Sequence, residues 1–160
     1  MNILVFIFGT IVGSFLNVVI NRYGKESIAG RSYCPSCHHT LSAFELIPLL
    51  SFIFLRGKCR TCKTPISFQY PIVELLTSTL FSLSFIKFGF SLEFLFSLLI
   101  GSLLVIIAVY DFKHTIIPDE IVFAFIVLSF FRLIVMYGLK ELFGGEGNTY
   151  LLAGALEGRD

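Results

Sequence analysis

Four long apolar stretches, one polar segment and several short breaks organise the 160 residues. The apolar runs cover 3–20, 72–88, 92–110 and 121–137. Each approaches the roughly 20 residues that a helix needs to cross a bilayer's hydrocarbon core. This pattern predicts an all-α polytopic membrane protein with about four transmembrane helices. The first helix takes 1–21, a polar loop 22–70, three more helices 71–137, and a short irregular tail 138–160. The first run begins Met1-Asn2 and ends Val19-Ile20-Asn21-Arg22, without the basic start and small-residue cleavage site of a signal peptide, so it reads as a permanent helix. A shorter apolar run, 44–55 (FELIPLLSFIFL), lies inside the polar segment. It is too short to span and contains Pro48, so it is expected at the interface or against the other helices.

The pattern also marks faces. Gly9, Thr10, Gly13, Ser14 and Asn17 recur at helical spacing on one side of the first run. Gly9 and Gly13 make a GxxxG that permits close helix approach, and from the same face Asn17 could reach a site. Pro71 suits the first turn of the second span, where a missing N–H costs nothing. Glu74 follows it, either complementing the positive helix end or serving as a buried acid near a site. Arg132, near the end of the fourth span, reads as a snorkelling side chain. Beyond Gly138 the chain is broken by Gly144-Gly145-Glu146-Gly147 and is too short to cross again. No internal repeat is evident.

Composition strengthens the membrane reading. The chain is 56% hydrophobic and 14% charged, with a mean hydropathy of +0.86; a soluble domain carries more surface charge. A formal net charge of +1 argues against a nucleic-acid partner. The distribution is more informative, because seven of the twelve Lys and Arg fall between Arg22 and Lys63. By the positive-inside rule this loop is cytoplasmic. Counting spans from there puts the turn 111–120 on the same side and the tail on the opposite one.

Candidate chemistry sits at two places. Cys34, Cys37, Cys59 and Cys62 form two C-x2-C pairs and are the chain's four cysteines. That spacing suits a closed tetrahedral zinc site of structural type. A reducing compartment argues against disulfides, and zinc would staple a loop too small to build its own core. His38 and His39 are expected to be exposed rather than ligating. Asp111 ends a long apolar run, where a carboxylate meets the unfavourable end of the helix dipole, which makes it the better catalytic candidate. Asp119, after Pro118, reads as the cap or first-turn acid of the next helix. Intramembrane acids of this kind handle protons in transport or activate water in an aspartyl dyad. A proton-coupled transporter would need more buried ionisable groups than these spans hold.

At these residues the sequence resembles the prepilin peptidases, or type IV leader peptidases. The resemblance rests on Gly13-Ser14-Phe15-Leu16-Asn17-Val18 with Arg22, and on Arg31-Ser32 before the first cysteine pair. It continues through Ile47-Pro48-Leu49-Leu50-Ser51, Arg56-Gly57 before Cys59, Pro65-Ile66-Ser67, and Tyr70-Pro71 with Val73-Glu74-Leu75. It ends on Asp111 with Ile117-Pro118-Asp119. It implies an intramembrane aspartyl endopeptidase that removes leaders from type IV prepilins and pseudopilins at the cytoplasmic membrane face, serving pili, type II secretion or DNA uptake. It further implies N-methylation of the new amino terminus with S-adenosylmethionine, Asp111 as catalytic and the four cysteines as metal ligands. The family's second catalytic motif, G-x-G-D, does not occur; the nearest string is Glu157-Gly158-Arg159-Asp160. The chain is therefore expected to be shortened after the fourth span. A dimer or partner chain would then supply the second aspartate. The rival reading is a non-catalytic membrane protein whose zinc loop binds prepilins or assembly components.

Overall fold

A computed structural model of the chain describes residues 1–24, 27, 30–115 and 118–143, with side chains through 139. Its five α-helices are α1 (Asn2–Arg22), α2 (Leu50–Phe54), α3 (Gln69–Phe88), α4 (Leu92–His114) and α5 (Asp119–Phe143), with a 3₁₀ turn at Ala43–Leu46. Among the described residues the β-structure is confined to two isolated bridges. α1, α3, α4 and Asp119–Leu139 of α5 are long and apolar enough to cross a membrane. The expected all-α, four-span architecture is therefore present, with the four cysteines gathered in the loop between α1 and α3.

Helix ends depart from the apolar runs. α4 continues one turn beyond Tyr110, so Asp111 lies inside the last turn rather than after it. A helix stops where its backbone bonding is closed, not where its side chains turn polar. Here Thr115 adopts the left-handed conformation and its N–H caps the Asp111 carbonyl at 2.7 Å. Lys113 and His114 complement the negative helix end. At the other end the Ser91 hydroxyl accepts the Phe94 N–H at 3.2 Å. α5 begins at Asp119 and runs on to Phe143, six residues into the segment read as an irregular tail; 144–160, with Asp160, lies outside the described residues.

The chain divides into two units, 1–125 and 126–160. In the first, α1 and α3 pack antiparallel along the small-residue face. A Cβ added at Gly9 would lie 2.5 Å from Ser78 Cα, and one at Gly13 2.7 Å from Glu74 Cα. Such spacing leaves room only for hydrogen, so the GxxxG is a true contact seam. Thr77 and Ser78 are fully buried opposite it, their hydroxyls returned to the α3 carbonyls of Val73 and Leu75. Leu16, Ile20, Val73, Val105, Ile106 and Ile121 form an apolar core where α1, α3, α4 and the start of α5 meet. A second cluster, Val5, Phe81 and Phe94, closes the far end, with Phe85 edge-on to Phe94 at 5.6 Å. In the second unit, the remainder of α5 presents Ile126, Phe130, Phe131, Leu133, Ile134 and Tyr137 outward.

Candidate functional site

Each cysteine pair sits in a knuckle, and the two knuckles are built alike. In the first, the Cys34 N–H donates to the His39 carbonyl and the His38 N–H to the Cys34 carbonyl, both at 2.9 Å. In the second, Cys59 N–H donates to the Thr64 carbonyl at 2.8 Å and Lys63 N–H to the Cys59 carbonyl at 3.1 Å. His38 and Lys63 occupy the same left-handed position, at φ 55° and 61°. The bridges Tyr33–Thr40 and Lys58–Pro65 close the two turns, and Leu41–Ser32 and Ile66–Gly57 hydrogen bonds extend them. The expectation of no internal repeat is thus corrected: the knuckles are a short structural repeat. The signal is present in sequence, since Arg31, Cys34, Cys37 and Ser42 recur 25 residues on as Arg56, Cys59, Cys62 and Ser67.

The four sulfurs lie within 4.8 Å of one another, with Cys34 and Cys62 Sγ 3.8 Å apart. A tetrahedron with Zn–S bonds of about 2.3 Å has edges of about 3.8 Å, so the donor set fits zinc. The thiols are unevenly tuned. The Thr64 hydroxyl and amide bring Cys62 down to about 6. At Cys37 the His39 amide pulls downward, but burial and the neighbouring thiols win and push it up to about 11. The amides of Cys37 and Ser36 lower Cys34. Four adjacent thiolates repel one another, and a divalent cation removes that repulsion. The histidines are engaged elsewhere: His38 stacks on Tyr33 at 5.6 Å, and His39 faces the Glu45 carboxylate at 3.8 Å.

The ends of α1, α4 and α5 meet near this loop. Arg22 donates to the carbonyls of Ser27 and Arg31, at 3.1 and 2.9 Å, and so ties the loop's start to α1. Lys113 Nζ donates to Asn21 Oδ1 at 2.6 Å. Tyr23 donates its hydroxyl to Glu120 Oε2 at 2.5 Å and stands edge-on to Tyr110 at 5.5 Å. That bond to a carboxylate holds the phenol's proton and pushes Tyr23 up to about 12. Asp111 and Asp119 are both exposed, the first in the last turn of α4 and the second as the first residue of α5. A cavity of about 530 Å³ lies between loop and helices, lined among others by Cys34, Cys59, Glu45, Ser14, Glu74 and Lys113. The cysteine loop and the Asp111 turn therefore share one end of the first unit.

Asn17 and Glu74 are buried beside that cavity. Asn17 Nδ2 donates to the Tyr70 carbonyl at 3.1 Å, and its Oδ1 accepts from Gln69 Nε2 at 3.4 Å, so it fastens the first turn of α3 to α1. Glu74 Oε2 accepts the Leu49 N–H at 2.8 Å. Glu45 escaped the sequence reading although its signal was present. Ser42-x-x-Glu45 is a capping box, and Glu45 Oε2 accepts from both the Ser42 N–H, at 2.8 Å, and its hydroxyl, at 2.7 Å. Those bonds hold the Glu45 carboxyl below the usual range. Tyr23 and Glu120 escaped too, because their pairing joins residues far apart in sequence.

Comparison with known proteins gives a consistent result. The family described as Bacterial Peptidase A24 N-terminal domain matches residues 7–88. A prepilin leader peptidase/N-methyltransferase of Bacillus subtilis is 46% identical over 125 residues, covering 77% of this chain and 50% of that protein. The protein of the same name from Myxococcus xanthus is 47% identical over 118 residues, 72% of this chain and 35% of its own. That of Aeromonas hydrophila is 37% identical over 144 residues, 74% and 50% respectively. The chain spans about half the length or less of these relatives. No solved structure matches it.

Proposed function

Because the chain belongs to the bacterial A24 peptidase family, we propose that it is a prepilin leader peptidase of aspartyl type, with Asp111 as one catalytic carboxylate. The observation that carries this reading is an exposed Asp111 in the last turn of a membrane-length helix, at the end of the bundle where the cysteine loop and its cavity lie. A peptide emerging from the bilayer there meets a carboxylate at the hydrocarbon edge. An ionised Asp111 takes a proton from water as it attacks the scissile carbonyl, and a second, protonated carboxyl donates to the carbonyl oxygen. In this reading Asp119 is the opening acid of α5, and the second carboxyl belongs to a G-x-G-D motif, which does not occur in the 160 residues.

The seven Lys and Arg between Arg22 and Lys63 support a cytoplasmic position for this end at the cell membrane, by the positive-inside rule. Zinc, held by Cys34, Cys37, Cys59 and Cys62, would lock the two knuckles and leave no open coordination position. The relatives' names also carry N-methyltransferase, and methylation of the new amino terminus with S-adenosylmethionine belongs to the same reading. Asn17 and Glu74 line the site by shaping its helical wall; Asp119 borders it as the opening acid of α5.

The test is reconstitution in lipid with a prepilin, with and without a separately expressed C-terminal half of the Bacillus subtilis relative. Cleavage is expected when the halves are combined and lost with Asp111→Ala. Cleavage that survives Asp111→Ala removes the assignment. No cleavage by the combination, where the intact relative works, favours the rival reading of a non-catalytic zinc-loop protein that binds prepilins or assembly components.

A further inference from the structure

We propose that residues 43–55 form a re-entrant segment that dips into the bilayer beside α1 and turns back at Leu49, with lipid acyl chains covering its apolar face. The proposal rests on the multi-pass membrane reading. Depth is given by the α1–α3 seam. Leu49 N–H bonds to Glu74 Oε2 at 2.8 Å, and Glu74 Cα is level with Gly13. At 1.5 Å per residue, Gly13 lies about 13 Å from Arg22 along α1, and Glu74 about 7.5 Å from Gln69 along α3. Both distances fall within the roughly 15 Å half-thickness of the hydrocarbon.

The segment is built for such a place. Irregular backbone survives at membrane depth only where it is buried against protein or lines a water-filled cavity, and the inner side of this segment, with Leu46, Ser51, Phe52 and Leu55, lines the cavity shared with Glu74. At the turn, Leu49 adopts φ 58°, which a leucine takes only under constraint. Around it, the N–H of Leu50 goes to the Pro48 carbonyl at 2.6 Å, Ser51 to Ile47 at 3.0 Å, and Ile53 to Leu49 at 3.2 Å. The Leu49 N–H itself takes the buried carboxylate. Glu74 is thereby given a reason to lie inside a span: it accepts an apex N–H that no carbonyl of the turn takes.

The outer side of the segment is apolar. Phe44, Leu50, Ile53 and Phe54 are 82%, 50%, 67% and 80% exposed. A groove of about 790 Å³ runs between Leu46 and Leu50 of the segment and Ile7, Ile11 and Phe15 of α1. Those α1 residues lie on a membrane-spanning helix, so the groove and the segment continue its lipid-facing surface. In water the same surface would be a hydrophobic patch with no cover.

The chain contains no tryptophan, so single tryptophans report position without background. Leu50→Trp and Phe54→Trp would be placed in the full chain and reconstituted in phosphatidylcholine vesicles carrying brominated acyl chains. Phe15→Trp on α1 is the hydrocarbon reference and Arg31→Trp the aqueous one. The two segment tryptophans are expected to lose emission to the brominated chains as Phe15→Trp does, and to resist aqueous acrylamide. Quenching like Arg31→Trp, while Phe15→Trp reports lipid, overturns the proposal. If Phe15→Trp also reports water, the membrane reading itself has failed. In a Glu74→Leu background Leu50→Trp is expected to move toward the aqueous quencher, whereas Glu74→Gln, which keeps an acceptor oxygen, leaves it in place. An unchanged depth with Glu74→Leu overturns the anchoring role.

Discussion

Gly13→Ala tests the seam on which the rest of the first unit is assembled. The added Cβ would stand 2.7 Å from Glu74 Cα and 3.2 Å from both the Val73 carbonyl oxygen and Thr77 Cβ. Ordinary contact begins near 3.4 Å, and the nearest atoms are mostly backbone, so α1 and α3 must separate by about 1 Å. Overpacking of this kind costs about 1–3 kcal/mol. The same displacement stretches the bond from Asn17 to the Tyr70 carbonyl, now 3.1 Å, out of range, a further cost of about 1 kcal/mol. Alanine also favours a helix over glycine by about 0.5–1 kcal/mol, which would mask part of the loss. At Gly101 on α4 an added Cβ would meet nothing within 4 Å, so Gly101→Ala carries the helix gain alone. The difference between the two variants isolates the seam's contribution, about 2–4 kcal/mol against Gly13→Ala. Reversible unfolding in mixed micelles, followed by helical circular dichroism, measures it. Equal stabilities, within about 0.5 kcal/mol, would refute the close seam.

Two further outcomes follow from the loop and the helix ends. Elemental analysis of the purified chain should find about one zinc per chain, falling with Cys59→Ser. Chelation should open the loop to protease while leaving the helical signal of α1 and α3. For Tyr23, the raised value means that its bond to Glu120 stabilises the fold fully below the free phenol's pKa of 10.0, and that this contribution fades as pH rises through about 12. The difference in phenolate absorbance between the parent and Tyr23→Phe should therefore titrate near 12, and Glu120→Gln should bring it back toward 10.0. Titration already at 10.0 in the parent would mean that the bond is absent.

The spans and the cysteine set were legible because each is written in local code. Apolar length marks a membrane helix, and C-x2-C spacing fixes two donors on one turn. GxxxG indicated a packing face, yet only the structure names Ser78 and Glu74 as what it packs against. The end of α4 was misplaced because polarity changes at Asp111 whereas the backbone stops at Thr115. For Glu74 the sequence offered a dipole role or a site role. Its bond to Leu49 depends on a turn 25 residues upstream, which no periodicity reveals. The knuckle repeat was legible and missed: Arg31, Cys34, Cys37 and Ser42 recur at Arg56, Cys59, Cys62 and Ser67, but a repeat this short is easily passed over beside the metal-ligand spacing.

The small-residue seam also bears on the order of assembly. Gly9, Gly13, Thr77 and Ser78 bring α1 and α3 together without any atom of the cysteine loop, and Asn17 pins the loop's two ends beside each other from within the helical pair. A hairpin of two membrane helices can thus form during insertion while the intervening segment is still unfolded. On the proposed reading, metal loading would then be a later, separable event on a loop whose ends are already tethered.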